Sequence, residues 1–117
     1  MDKSFINGYE IIINKYGYWP SFHDDIIDRL EITNDKIVFY INMQSYHDDD
    51  KPHSIIKLSL CEIEKFSLEG ELYGCVSIIL DLEFHNINNI IETQISSSLG
   101  TRGIIYSKKV NVDLIFS

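Results

Sequence analysis

The sequence of 117 residues contains no alanine, the residue with the highest helix propensity, and has 21 isoleucines. Isoleucine is β-branched and fits the half-buried surface of a pleated sheet. This composition excludes an all-helical bundle and favours a fold built mostly of strands.

Cysteine and long apolar runs are also scarce. The two cysteines, Cys61 and Cys75, lie fourteen positions apart without a CxxC motif, which argues against a disulfide scaffold or a zinc knuckle. No run approaches the roughly 18 apolar residues of a membrane span. The first residues lack the basic head and apolar stretch of a signal peptide. We therefore expect a cytoplasmic protein.

Basic residues are few, with ten Lys and Arg against eighteen Asp and Glu and a formal net charge of −8. A general nucleic-acid binder needs a basic face that releases counterions from phosphates, and a peripheral membrane protein needs one for anionic lipid. The charge therefore argues against nucleic acid and membrane as partners. It favours a soluble protein that attracts a basic partner.

The length fits one domain over residues 1–117. Apolar residues recur at helical spacing in 3–15, with Asp2 or Ser4 as candidate caps and Gly17 as a stop. Asn34-Asp35 predicts a tight hairpin turn. Strand-like alternation marks 36–43, 75–85 and 109–116, and weaker strand candidates are 24–33, 54–62, 64–69, 89–96 and 103–108. The prediction is a mostly β fold: an antiparallel β-sandwich or open barrel of six to eight strands with one N-terminal helix.

Recognisable catalytic motifs are missing: there is no GxSxG, no GxGxxG and no GxxxxGK[ST]. Neither cysteine has an electropositive setting that would activate its thiol. We therefore expect a protein that is not an enzyme and that needs no cofactor or metal. The alternative is a metal-dependent hydrolase, because imidazole and carboxylate groups bind transition metals. Its ligands would be His23, Asp24, His47 and His53.

The acidic residues cluster in two segments. Residues 22–50 hold eight acidic and two basic residues, a net of −6, and residues 62–83 have a net of −5. If the two segments adjoin in space, they form one negative surface that would speed encounter with a basic protein. The predicted partner-binding residues are Asp25, Asp28, Tyr46, His47, Asp48, Asp49 and Asp50. An exposed sheet edge would also allow a homodimer.

The stretch YGYWPSFHDD, residues 16–25, surrounds a fixed proline with large apolar side chains. We interpret Trp19, Pro20, Phe22, His23 and Asp24 as a mainly structural corner between the helix and the sheet. Trp19 would plug the end of the core, and His23 or Asp24 would satisfy backbone groups at the turn. In the alternative, Trp19, Phe22 and His23 line the pocket of a small-ligand-binding β domain.

The residues Trp19-Pro20-Ser21-Phe22-His23-Asp24 resemble the WPSFHD signature of the immunity protein 50 family of bacterial polymorphic toxin systems. The later stretch FHNINNI, residues 84–90, is similar to an aromatic–Asn segment of that family. After the signature the family often has Ala, an acid and Val, where this chain has Asp25, Ile26 and Ile27.

The resemblance implies a small, mostly β cytoplasmic antitoxin that binds and neutralises a cognate toxin. The expected partner is therefore a toxin protein. From the charge, we expect that toxin to be basic, as a nuclease would be, with the inhibitor mimicking the phosphate backbone of its substrate.

Overall fold

The computed structural model describes residues 3–43, 54–70, 77–98 and 100–116. Within these ranges one helix, α1 (Tyr9–Tyr16), precedes six strands. These are β1 (Ile26–Ile32), β2 (Lys36–Asn42), β3 (Ile55–Glu69), β4 (Ser77–Ile87), β5 (Ile90–Ser97) and β6 (Arg102–Phe116). All neighbouring strands are antiparallel, and the sheet closes in the order β1-β2-β3-β6-β5-β4.

The predicted mostly β class with one N-terminal helix is confirmed. Where the sequence left a sandwich and an open barrel undecided, the structure has a closed barrel. The segments 54–62 and 64–69 join into β3, and 103–108 and 109–116 join into β6. A kink at Glu62, whose φ is 55°, interrupts the alternation within β3 without ending the strand. For that reason the sequence pattern divides one long strand into two.

The helix starts later than predicted, at Tyr9, because the chain first pairs with β6. Asn7 donates its backbone N–H to Val110 and accepts from the N–H of Val112. Gly8 then turns the chain in the left-handed region, at a φ of 91°, and occupies the N-cap position. Ser4 lies too early to cap the helix, and Asp2 falls outside the described residues. The predicted stop at Gly17 is confirmed: its N–H bonds to the Ile13 carbonyl at 2.7 Å.

The Asn34-Asp35 hairpin is also confirmed, with the Thr33 N–H bonded to the Lys36 carbonyl at 2.9 Å. The barrel interior is filled by side chains, of which Phe22, Phe39 and Phe84 are the largest that are fully buried. The alternation in 75–85 predicts Leu80, Leu82 and Phe84 on one apolar face, and for Leu80 this is wrong. A bulge between Ile79 and Asp81 turns Ile79 inward and leaves Leu80 43% exposed.

β1 and β4, the two strands that close the barrel, pair with each other over only a short part of their length. The closure itself rests on two registered pairs, Ile26 with Ile78 and Ile27 with Ser77. Beyond them, residues 22–25 continue β1 beside β4 in an irregular conformation, with the Asp24 N–H bonded to the Ile79 carbonyl and the Ile79 N–H to the Asp25 carbonyl. Residues 22–25 thus complete the barrel wall between β1 and β4. Among the described residues no helix is long and apolar enough to cross a membrane.

Candidate binding surface

The corner between α1 and β1 is built around three aromatic rings. Trp19 meets Phe22 edge to face, with ring centroids 5.8 Å apart, and meets Phe84 of β4 in the same way at 6.0 Å. Phe22 is fully buried and has a φ of 64°, and Pro20 beside it is buried as well. Trp19 itself is partly buried against the core, as the structural interpretation expects.

His23 connects this corner to β4 through a hydrogen bond. Its Nδ1 lies 2.8 Å from the carbonyl oxygen of Leu80, at the bulge, and its Nε2 lies 3.5 Å from a carboxylate oxygen of the exposed Asp24. The bond to the Leu80 carbonyl and the nearby Asp24 carboxylate raise the pKa of His23 above its usual 6.5. His23 therefore satisfies a backbone group, but that group lies at the bulge of β4 and not at the turn, where the sequence predicted it.

The prediction that Asp25 belongs to a partner-binding surface is wrong. Its side chain is fully buried, and its backbone closes a turn with Phe22 and bonds to Ile79. The chain reverses at Asp24, whose φ is 72°, so the next residue points into the barrel. Asp28, in contrast, is exposed and lies 3.4 Å from the Asn42 amide.

The hairpin formed by β4 and β5 carries acidic side chains without basic ones, and we call it the acidic hairpin (Ser77–Ser97). It carries Asp81, Glu83 and Glu92 and no Lys or Arg. The first two are exposed, and Glu92 is half-buried. Asp24 adds a further carboxylate beside Asp81, since both act on His23. The two acidic segments of the sequence therefore meet here.

Register places these carboxylates in rows that continue across the outer face of the sheet. Opposite Glu83 lies Gln94, and opposite Asp81 lies Ser96. The second row continues to Arg102 of β6 and Glu69 of β3, which form an ion pair at 3.6 Å. The surface is thus negative on the acidic hairpin and balanced on β6 and β3, so it is not of a single sign.

Two surface grooves flank β4 and share Asp81 and Glu83. The first, of about 500 Å³, lies over the outer face of β4, β5, β6 and β3 and includes Glu69, Gln94, Ser96 and Arg102. The second, of about 390 Å³, runs between β4 and the corner and includes Lys3, Trp19, Pro20 and His23. Phe22, which the ligand-binding alternative assigned to a pocket, does not line this groove because it is fully buried.

Lys3 closes part of the second groove. Its ammonium group donates to the Phe84 carbonyl at 3.2 Å. Partial burial lowers the pKa of Lys3, while the nearby Glu83 carboxylate acts in the opposite direction. The segment that precedes the helix thus reaches across to the exposed edge of β4.

Other predicted site residues lie outside the described part of the chain. These are Tyr46, His47, Asp48, Asp49 and Asp50, and the proposed metal ligand His53. Within the described ranges, no group of three or more His, Cys, Asp or Glu side chains could hold a metal ion.

Lys3, Asp81 and Glu83 were not among the predicted site residues. The charge count placed both acids in an acidic segment, but only strand order shows that Asp81 lies beside Asp24 and in one row with Arg102. No protein-family model matches the chain. A comparison with curated proteins also finds no match.

Proposed function

We propose that this chain is a cytoplasmic bacterial immunity protein that binds and neutralises a basic cognate toxin without a chemical step. The observation that carries the proposal is the acidic hairpin, where Asp81, Glu83 and Glu92 stand without any Lys or Arg. Such a surface raises the rate of encounter with a basic cleft and is screened by salt. The resemblance of residues 19–24 to the immunity protein 50 signature supports the same function.

The structure of the WPSFHD stretch supports a scaffold role for most of its members. Phe22 is buried in the core, and His23 holds the bulge of β4. The stretch would therefore affect binding indirectly. It fixes Asp24 beside Asp81, so that the acidic hairpin gains a further carboxylate. Asp48, Asp49 and Asp50 remain predicted contacts.

The experiment is expression of the protein encoded beside this chain in its genome, alone and together with the chain. The proposal predicts that the neighbour's C-terminal domain stops growth when expressed alone, that co-expression restores growth, and that the two purified proteins form a stoichiometric complex. A neighbour whose toxicity persists in the presence of the folded chain would contradict the proposal.

A small-ligand function has one observation in its favour, the groove of about 390 Å³ beside Trp19 and His23. The barrel interior offers less support, because the core side chains fill it. Fluorescence of Trp19, the single tryptophan in the sequence, would report a ligand that enters this groove. A saturable change on addition of a small molecule would favour this alternative.

A further inference from the structure

One edge of β4 has no strand partner over Leu82–Asn86 among the described residues. The hairpin geometry fixes which backbone groups face this edge. Ile87 pairs with Ile90 across two asparagines with φ of 50° and 68°, the left-handed pair of a two-residue type I′ turn. The closing residues of such a turn bond to each other, so alternate residues back along β4 bond to β5.

By this alternation, Glu83 and His85 direct their N–H and C=O groups to β5, while Leu82, Phe84 and Asn86 direct theirs away from it. The contact of Lys3 confirms the direction independently, since its ammonium group reaches the Phe84 carbonyl from outside the sheet. β4 therefore presents a row of strand-pairing groups, of which Lys3 occupies one.

The second groove runs along this edge. Six consecutive residues, 80–85, line it. Leu82 and Phe84 are only 6% and 1% exposed, because their side chains point into the barrel. Their contribution to the groove is therefore backbone, as expected for a strand seen from its edge. Trp19 and Pro20 form the opposite, apolar wall.

The charges beside the edge select the occupant. Asp81 and Glu83 line the groove and project on the outer side of β4, and Asp24 lies beside His23, another lining residue. His85, the next outward residue of β4, has its Nε2 3.8 Å from a carboxylate oxygen of Glu83. Cross-strand neighbours of opposite charge stabilise a sheet, whereas like charges destabilise it. An added strand would thus place basic side chains beside Asp81 and Glu83, and alternate apolar side chains toward Trp19.

We infer that the Leu82–Asn86 edge of β4 takes up an extended, alternately basic and apolar segment of a partner protein as an added strand. This deepens the proposed function, on which it rests, by naming how the toxin would be held. In the free protein Lys3 protects this edge, since a lysine at a strand edge discourages nonspecific pairing with other strands. For the strand to bind, the Lys3 ammonium group must move away from the Phe84 carbonyl. That carbonyl can then accept a hydrogen bond from an N–H of the partner.

The test uses the whole protein, labelled with nitrogen-15, and two capped octapeptides that alternate Val with either Lys or Glu. The Lys-Val peptide should shift the amide resonances of Leu82, Phe84 and Asn86 first, because those groups gain a new neighbour. The amides of Glu83 and His85 in the same strand are the internal control, since they already bond to β5. We expect the Lys-Val peptide to bind about tenfold more tightly than the Glu-Val peptide.

Two variants sharpen the test. Glu83→Lys should weaken binding of the Lys-Val peptide, and Lys3→Ser should strengthen it by freeing the edge. Asp113→Lys is the matched control: Asp113 is exposed on β6, opposite Lys57 and away from the groove, so binding should not change.

Shifts confined to other strands, equal binding of both peptides, or no shift at all would overturn the inference. The outcome separates from that of the proposed function. If the chain neutralises a toxin without any effect on the three edge amides, the added strand is rejected and the inhibitor function stands. Binding of the Lys-Val peptide at the edge, without neutralisation of the neighbour, would do the reverse.

Discussion

At the scale of single residues, the WPSFHD stretch shows how one segment can be structural and still shape a binding surface. Trp19 packs its ring against Phe22 and Phe84, and Phe22 is fully buried. Only His23 and Asp24 of this stretch combine exposure with charge or titration. The backbone reversals at Phe22 and Asp24, both with positive φ, bring these two side chains to the rim of β4.

His23 makes a pH-dependent contribution to the stability of this corner. Its folded-state pKa is raised above 6.5 by the Leu80 carbonyl and by Asp24, so the folded state favours the protonated ring. The contribution is therefore fully present below about pH 6.5 and is lost as the pH rises through the folded-state pKa.

The variant His23→Gln keeps a donor for the Leu80 carbonyl but does not titrate. Urea unfolding at about pH 5.5 and pH 8 should show a larger loss of stability for the wild type than for His23→Gln, while other titrating groups act on both proteins alike. An equal change in the two proteins would show that His23 is not coupled to folding.

At the scale of secondary-structure elements, much of the fold could be predicted from the sequence. Alternation located β2, β4 and the second half of β6, and weaker strand candidates covered the other strands. Asn34-Asp35 marked a hairpin turn that the structure confirms. The helix end at Gly17 was also predictable, because a glycine in the left-handed region is a common stop. These are local signals, set by neighbouring residues in the chain.

Non-local features could not be predicted in this way. The bulge near Leu80 reverses the facing of residues in β4, and the bridge from Asn7 to β6 delays the start of α1. Both depend on strands that are distant in the sequence. The candidate surface has the same origin, since strand order alone brings Asp24 to Asp81.

The two glycines that flank α1 provide a test of this bridge. Gly8 and Gly17 both have positive φ, 91° and 84°. A Cβ at Gly8 would overlap the backbone carbonyl oxygen of Val112, whereas the space around Gly17 is open. Gly17→Ala should therefore cost about 1–2 kcal/mol, the price of a left-handed L-residue, and Gly8→Ala about 3 kcal/mol or more.

Urea unfolding of the two variants measures the difference. The Gly17→Ala protein is the control for the backbone conformation, so the excess loss in Gly8→Ala reports the close approach to β6. Equal losses would mean that the segment before the helix is not held against Val112.

At the scale of the whole molecule, the uneven distribution of charge is the property on which the proposed function depends. The acidic hairpin carries carboxylates and no Lys or Arg of its own, although Lys3 and His85 lie near Glu83. β6 and β3 pair their carboxylates with bases, as Arg102 pairs with Glu69 and Lys108 with Glu64 at 3.4 Å. The half-buried ring of Tyr40 likewise lies among charges of both signs, with its centroid 5.3 Å from the Arg29 guanidinium and its hydroxyl donating to Glu31. Under the proposed function, this distribution would direct a basic partner to one side of the barrel.

The most direct test is the association rate of the purified chain with the protein encoded beside it, the proposed toxin, measured over a range of salt concentrations. We predict a rate that falls as salt rises, and a variant carrying Asp81→Lys and Glu83→Lys that associates about tenfold more slowly at low salt with a flatter dependence. Asp113→Lys, roughly 30 Å along β6 from the row of Glu83, should behave like the wild type. If the double variant associates at the wild-type rate with the same salt dependence, the acidic hairpin is not the surface that meets the toxin.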